Sequence, residues 1–368
     1  MRSRPEHVPS LDILRGFLAL AVAIYHFQSW TRVFGSGTAA SSTVAVLGIY
    51  SVQGFFIISG FCFFHLYTAP SFSRRELKHF YVKRFLRLAP LYYFAFALNV
   101  LLEQPVGPLS FQRVLENLTL SFGLFHPNHA RVLGGWSIGL EVVFYLAFPM
   151  LVWLLRARVA LYLATLALMG VAYNHSTNLD PSLSQWVRFD AYVELPNHAF
   201  LFLLGGVVAD VRRHVSVRLG RFPLLAALVA LAAISTQLQG RFYDHFEVMT
   251  GMARVQHLTV CFLLVLLVGL HASRDGFLAQ PLRWLGDHSY SVYLLHPFAS
   301  LAATSLIAVQ SSPRLAFAFG ISLTLIFAAL SRYLVEQPAI DWGKRLTRAE
   351  VTPAPSSHDT HFISRSAE

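Results

Sequence analysis

Charge is what this sequence lacks. Of its 368 residues only 13% are Asp, Glu, Lys or Arg, while 55% are hydrophobic and 31 are phenylalanine. A soluble enzyme of this length carries about a quarter charged residues, so a water-soluble globule is excluded. Acids are the scarcer sign, 19 against 29 basic residues, for a formal net charge of +10. In a soluble chain that excess would point to nucleic acid. Here the basic residues are scattered among short polar stretches between apolar runs, so topology explains them and no nucleic-acid partner is expected. Cysteine is nearly absent. Cys62 and Cys261 both fall inside apolar runs, which implies no disulfide framework and leaves the compartment unread. Internal repeats are missing too, and that weighs against transporter folds built from inverted halves. A cleavable leader is not expected, although Thr38-Ala39-Ala40 follows the first apolar run. That run is long for a signal segment, is interrupted by His26, and is followed by nine more.

What the chain has is membrane-length helix. Runs of about 17 to 25 apolar residues fall at 11–30, 44–67, 85–102, 135–155, 159–174, 195–211, 222–238, 251–271, 285–308 and 315–335. They predict an all-α polytopic membrane protein of about ten transmembrane helices, with the lipid bilayer as its first partner. With the N-terminus inside, nineteen basic residues fall on the inner side, Arg74, Arg75, Lys78, Lys83, Arg212, Arg213 and Lys344 among them. The outer loops receive six: Arg32, Arg113, Arg131, Arg188, Arg241 and Arg314. This positive-inside bias sets both termini in the cytoplasm. Residues 1–343 form one membrane domain, and 344–368 a polar tail expected to be disordered. The longest outer connection, 103–134, contains an apolar patch at 118–125 that reads as a re-entrant or interfacial helix.

The first helix places Asp12, Arg15 and His26 in an otherwise apolar run. Charged groups in a bilayer are costly and are seldom kept there without a task. Arg15 and His26 are eleven residues apart, so they share one helix face roughly 16 Å apart along the axis. A cation near one surface and an imidazole deep toward the other describe a site that spans the membrane.

At these residues a family resemblance emerges. Leu11-Asp12-Ile13-Leu14-Arg15-Gly16 leading to Tyr25-His26 resembles the opening signature of the membrane-bound acyltransferase family 3. Gly54 to Phe61, Lys83 to Tyr92 and Trp136 to Tyr145 resemble its next motifs. Leu285-Gly286 with Ser289 to Pro297, and Tyr333 to Pro338, complete a set covering residues 11 to 340 in the expected order. The resemblance implies an O-acyltransferase of a bacterial inner membrane that moves acetyl or another short acyl group onto a glycan. The acceptor would be an exopolysaccharide, a lipopolysaccharide or a lipid-linked precursor, with association with the polysaccharide assembly machinery open. Two positions depart from the pattern: Gln53 and Val142 stand where many members have acids. Some relatives also carry a soluble hydrolase-like domain after the bundle, and the 349–368 segment is too short for one.

Depth along the helices gives a chemical reading of its own. At 1.5 Å per residue across about 30 Å of hydrocarbon, Arg15 lies roughly 6 Å from the inner boundary and His26 roughly 22 Å. Ser59 falls near the level of Arg15, while Arg84 and Arg87 open the third helix at the inner surface. Glu141 comes out near the level of His26. An acyl-CoA donor, bound as co-substrate rather than cofactor, fits this division, because guanidinium groups hold phosphates bidentately. The donor site is therefore expected at Arg15, Arg84, Arg87 and Ser59. The catalytic group is expected at His26 as general base, Arg15, and Glu141 as the carboxylate orienting the imidazole. Ser137 and Tyr145 are candidates for stabilising the oxyanion, an acyl-histidine intermediate stays open, and His296 is expected in support near a kink at Pro297.

Each residue also has a plain alternative. Arg15 can snorkel and pair with Asp12, Arg84 and Arg87 can be positive-inside anchors, and Glu141 can serve helix packing. His288 reads as a cap neighbour, and Glu336 as the partner of a loop cation. His126 and His129 have a spacing a metal could use on a helix. Pro127 between them and the lack of nearby cysteine argue against one, so no metal is expected. Trp186, Asp190, Tyr192 and Glu194 in the outer loops are the available sugar-binding groups. The competing functions are an acyltransferase tailoring a small molecule such as a macrolide, a glycan transporter or flippase using Arg15 and His26 as a relay, and a noncatalytic scaffold.

Overall fold

The computed structural model describes residues 7–67, 72–102, 109–154, 157–177, 182–215, 218–239, 249–271, 279–308 and 312–349. Local chemistry explains where the first helices begin. Helix α1 (Pro9–Thr31) opens on a proline, whose missing N–H is no loss in a first turn, and closes at Arg32 in the left-handed region (φ 52°). Helices α2 (Ala39–Leu66) and α3 (Arg74–Leu101) each start from a capping box, Thr38 with Ser41 and Ser73 with Glu76. The chain continues through α4 (Phe111–Thr119), α5 (Phe122–Phe125), α6 (Gly135–Leu154), α7 (Arg158–Thr177), α8 (Gln185–Tyr192) and α9 (Ala199–His214). It then forms α10 (Arg221–Gln239), α11 (Gly251–Gly269), α12 (Ala279–Asp287), α13 (Ser289–Leu306), α14 (Pro313–Ser331) and α15 (Gln337–Ala349). Among the described residues there is no strand, only an isolated bridge between Leu219 and His271.

The protein is thus an all-α polytopic membrane protein, and every one of the ten expected runs holds helix. Among the described residues, five helical segments are long and apolar enough to cross a bilayer alone. They are α1, α2, the α6 segment Gly135–Trp153, α11, and a continuous Pro313–Thr347. A sixth arises if α8 and Leu195–His214, bent by 68°, count as one broken span. Boundaries differ where polar residues continue a helix past the apolar run. The run at 85–102 is the second half of α3, so Lys83, Arg84 and Arg87 lie inside that helix rather than at its mouth. The run at 285–308 is divided at His288. Helix α14 passes through a π turn (Arg332–Glu336) into α15, so 344–349 are helical although the sequence assigns them to the tail; 350–368 lie outside the described residues.

Helix α2 runs through the centre, packed against α1, α9 and α11. Lipid gives no hydrophobic drive between helices, so close approach through small residues has to supply the packing. A Cβ on Gly60 would lie 1.9 Å from the Phe202 carbonyl oxygen, and one on Gly205 2.1 Å from that of Ile57, so α2 and α9 touch backbone to backbone. Gly286, just before α13, meets the Asp12 carbonyl of α1 in the same way, at 2.2 Å. Phe63, Phe80, Phe148 and Phe202 fill the adjoining core, all fully buried.

Candidate active site

These packings bring two cavities together. The first lies between α1, α2, α3, α6 and α13 and is lined by Arg15, Ser59, Arg87, Ser137, Glu141 and Tyr293. Five of the residues expected in the site therefore share one cavity. Arg15 and Arg87 make no hydrogen bond or ion pair within the described residues. Asp12, the sequence-level partner for Arg15, instead lies 2.7 Å from His7. Two guanidinium groups thus face the cavity without a bonded carboxylate, while Glu141 in the same lining accepts from Ser59 and Tyr145.

Glu141 sits in this cationic cavity. Ser59 Oγ donates to its Oε1 at 2.9 Å, and the Tyr145 hydroxyl donates to the same oxygen. Depth along the helices placed Glu141 beside His26, but within the described residues no hydrogen bond joins them. The carboxylate orders Ser59 and Tyr145 in the first cavity instead. Arg84 also stands apart from the expected donor group. Its guanidinium lies 4.4 Å from the centre of the Phe63 ring and within 5.8 Å of Phe80 and Tyr145, and it does not line the cavity. A cation held over aromatic faces supports packing.

The second cavity is lined by Val22, Tyr25, His26, Gly134, Trp136 and Tyr192, and shares Val52 and Tyr293 with the first. The group on the His26 ring is His296, fully buried on α13, whose Nε2 lies 2.8 Å from His26 Nδ1. The bonding assigns the protons. His296 Nδ1 lies 2.7 Å from the Tyr293 carbonyl, which can only accept, so Nδ1 carries hydrogen and the neutral ring offers Nε2 as acceptor. His26 Nδ1–H then donates to that nitrogen. His26 Nε2 is left unprotonated. Trp30 stacks on the same ring at 5.5 Å and helps hold its plane.

Tyr293, absent from the expected site residues, joins the two cavities. Its carbonyl orders His296, and its hydroxyl lies 2.8 Å from Ser137 Oγ, with both hydroxyls 2.9 Å from the Gly134 carbonyl. Its position three residues before His296, on the same helix face, was the available signal. A network behind the second cavity was also missed. Gln53 donates to the Tyr192 hydroxyl at 2.6 Å and lies 3.1 Å from His198, while Arg254 clamps Asn197 through its side chain and carbonyl at 2.5 Å. Gln53 thus stands where an acid was expected and braces α8 against α9. Of the outer sugar-binding candidates, Tyr192 walls the cavity, Trp186 is exposed, and Glu194 lies 3.2 Å from His175. His288 caps α13, and Glu336 pairs with Arg332 and Ser291 rather than a loop cation.

Fold and cavities together define a polytopic membrane protein in which a cationic chamber adjoins one holding a histidine pair. The family model described as "Acyltransferase domain" matches residues 8–333, and the chain belongs to that family, acyltransferase family 3. It is similar to the peptidoglycan O-acetyltransferase OatA of Listeria monocytogenes, 26% identical over 90% of this chain and 56% of the relative. It is similar also to the putative peptidoglycan O-acetyltransferase YrhL of Bacillus subtilis, 24% identical over 92% of this chain and 56% of the relative. Nodulation protein 10 of Rhizobium leguminosarum bv. viciae is 27% identical over 91% of this chain and 94% of its own length. The chain spans about half the length of the first two. No solved structure matches.

Proposed function

We propose that this protein is an integral-membrane O-acyltransferase that carries an acyl group, acetyl foremost, from cytoplasmic acyl-CoA to a glycan hydroxyl. The acceptor class is an exopolysaccharide, a lipopolysaccharide or a lipid-linked precursor, and the site of action a bacterial inner membrane. The family places the chain among acyltransferases, and the names of its relatives favour a glycan. The observation that carries the reading is the pairing of unpartnered Arg15 and Arg87 in one cavity with an unprotonated His26 Nε2 in the next. The excess of basic residues on one side supports an arginine cavity toward the cytoplasm, in an arrangement with both termini inside.

The chemistry divides between the cavities. Arg15 and Arg87 hold the donor phosphates and bring the thioester to the junction at Val52 and Tyr293. His26 Nε2 removes the acceptor hydroxyl proton as the oxygen attacks the thioester carbonyl. The tetrahedral oxyanion is stabilised by a hydroxyl of the Ser137–Tyr293 pair. On collapse the C–S bond breaks, the ester C–O bond remains, and the leaving thiolate takes the proton from His26. His296 accepts from Nδ1–H throughout and fixes the tautomer.

The test is transfer of label from labelled acetyl-CoA to envelope glycans by the purified full chain, beside His26→Ala. Transfer by the wild type and about 100- to 10,000-fold less by the variant is expected. Equal transfer by both overturns the role of His26. No transfer by the wild type, with fold and acceptor verified, overturns the acyl-CoA reading.

A further inference from the structure

Away from both cavities, the outer segment between α3 and α6 gathers three groups of metal-binding chemistry. Glu116 on α4 is buried. His126, at the end of α5, lies with Nδ1 2.9 Å from Glu116 Oε1, and His129 lies with Nδ1 2.6 Å from Oε2. The two rings are stacked, with centres 4.5 Å apart and planes 22° from parallel, and all the donor atoms fall within 4.8 Å of one another. Pro127, which on sequence grounds argues against a metal, starts a 3-10 turn that turns His129 back toward His126. Glu116, ten residues upstream, supplies the third group that spacing alone does not reveal.

The frame around the three is built and satisfied. Asn117, fully buried, donates to the His129 carbonyl at 2.9 Å and accepts from the Arg131 N–H at 3.0 Å and the Tyr92 hydroxyl at 2.6 Å. Gln112 donates to Glu116 Oε1 at 2.8 Å, orienting the carboxylate from one turn away. The fixed direction of both Nδ1 atoms toward one carboxylate is the geometry in which a cation replaces two imidazole protons.

We propose that Glu116, His126 and His129 form a binding site for one divalent transition ion, of the zinc class, that staples the outer segment in place. Two imidazole nitrogens and one carboxylate oxygen select such an ion over magnesium or calcium, which take oxygen ligands, and leave one position for water. His126 is half-exposed, which gives the ion an entry path. The staple acts on the candidate site through the backbone. The segment it closes continues into Leu133 and Gly134, which wall the His26 cavity, and the Gly134 carbonyl holds Ser137 and Tyr293. The proposal stands independently of the acyl-transfer reading.

The experiment uses the full chain in detergent, its affinity tag removed, stripped with chelator and titrated with zinc chloride. Bound zinc is counted by mass spectrometry after exchange into metal-free buffer, and thermal unfolding is followed in parallel. The wild type is expected to retain one zinc per chain and to melt at higher temperature with it. His126→Ala, at a half-exposed position the fold tolerates, and His129→Ala should bind at least about tenfold more weakly and lose the zinc-dependent shift. Cobalt substitution gives a second readout, a visible ligand-field band for the wild type that changes in His126→Ala. A wild type that retains no zinc, or histidine variants that retain as much as the wild type, overturn the site.

Discussion

Replacing His296 by phenylalanine fills the same buried space but offers His26 Nδ1–H nothing to bond. The imidazole loses the acceptor that fixes its tautomer, so the base survives with weaker control of tautomer and orientation. One hydrogen bond of this kind is worth about 1 kcal/mol net. At about 1.4 kcal/mol per factor of ten, kcat should fall roughly five- to tenfold. His296→Gln keeps an acceptor oxygen of similar reach and should recover most of that loss. The donor KM should hold in both, because Arg15 and Arg87 line the other cavity. The assay is steady-state acyl transfer with donor and acceptor varied separately, on variants whose melting matches the wild type. Unchanged kcat in His296→Phe refutes the hydrogen-bond argument. A loss as deep as that of His26→Ala refutes it differently, by making His296 the base itself.

Arg15→Lys keeps the charge but not the planar fork, and is expected to raise the KM for acyl-CoA with a smaller effect on kcat; an unchanged donor KM removes Arg15 from that site. Gly60→Ala forces a Cβ to within 1.9 Å of the Phe202 carbonyl and should destabilise the fold by about 3 kcal/mol or more, read as a lower melting temperature. Gly37→Ser, in open space at φ 69°, should cost far less; equal losses would refute the close α2–α9 contact. Glu76 is held below the ordinary 4.5 because the Ser73 hydroxyl and N–H donate to it. Its support for the start of α3 is complete above that pH and disappears as pH falls through the lower folded value. The melting difference between wild type and Glu76→Gln should therefore be present at pH 7 and close in acid, and a gap that widens in acid contradicts the cap.

Membrane class, helix content and the place of Arg15 and His26 on one helix were all legible in the sequence, because each is a local property. A bilayer demands long apolar runs, and a helix carries two residues eleven apart onto one face. Motif order added the family, which the match over residues 8–333 bears out. What one chain does not carry is the identity of neighbours on other helices. Depth along the axis placed Glu141 level with His26, yet depth says nothing of rotation about the axis. Packing turned Glu141 toward Ser59 and Tyr145, and gave His26 the imidazole of His296, 270 residues away in sequence. Arg84 was read as a surface cation because the apolar run begins after it. The helix extends about three turns earlier and the side chain is held over Phe63. The outer histidines were set aside because Pro127 lies between them and no cysteine is near, and only the folding of α4 beside the Pro127 turn brings Glu116 to both. Local sequence determined which segments are helices and which carry charge. Tertiary structure decided which charges meet, because helix rotation and approach are set by close contacts such as Gly60 against Phe202, between residues far apart in the chain.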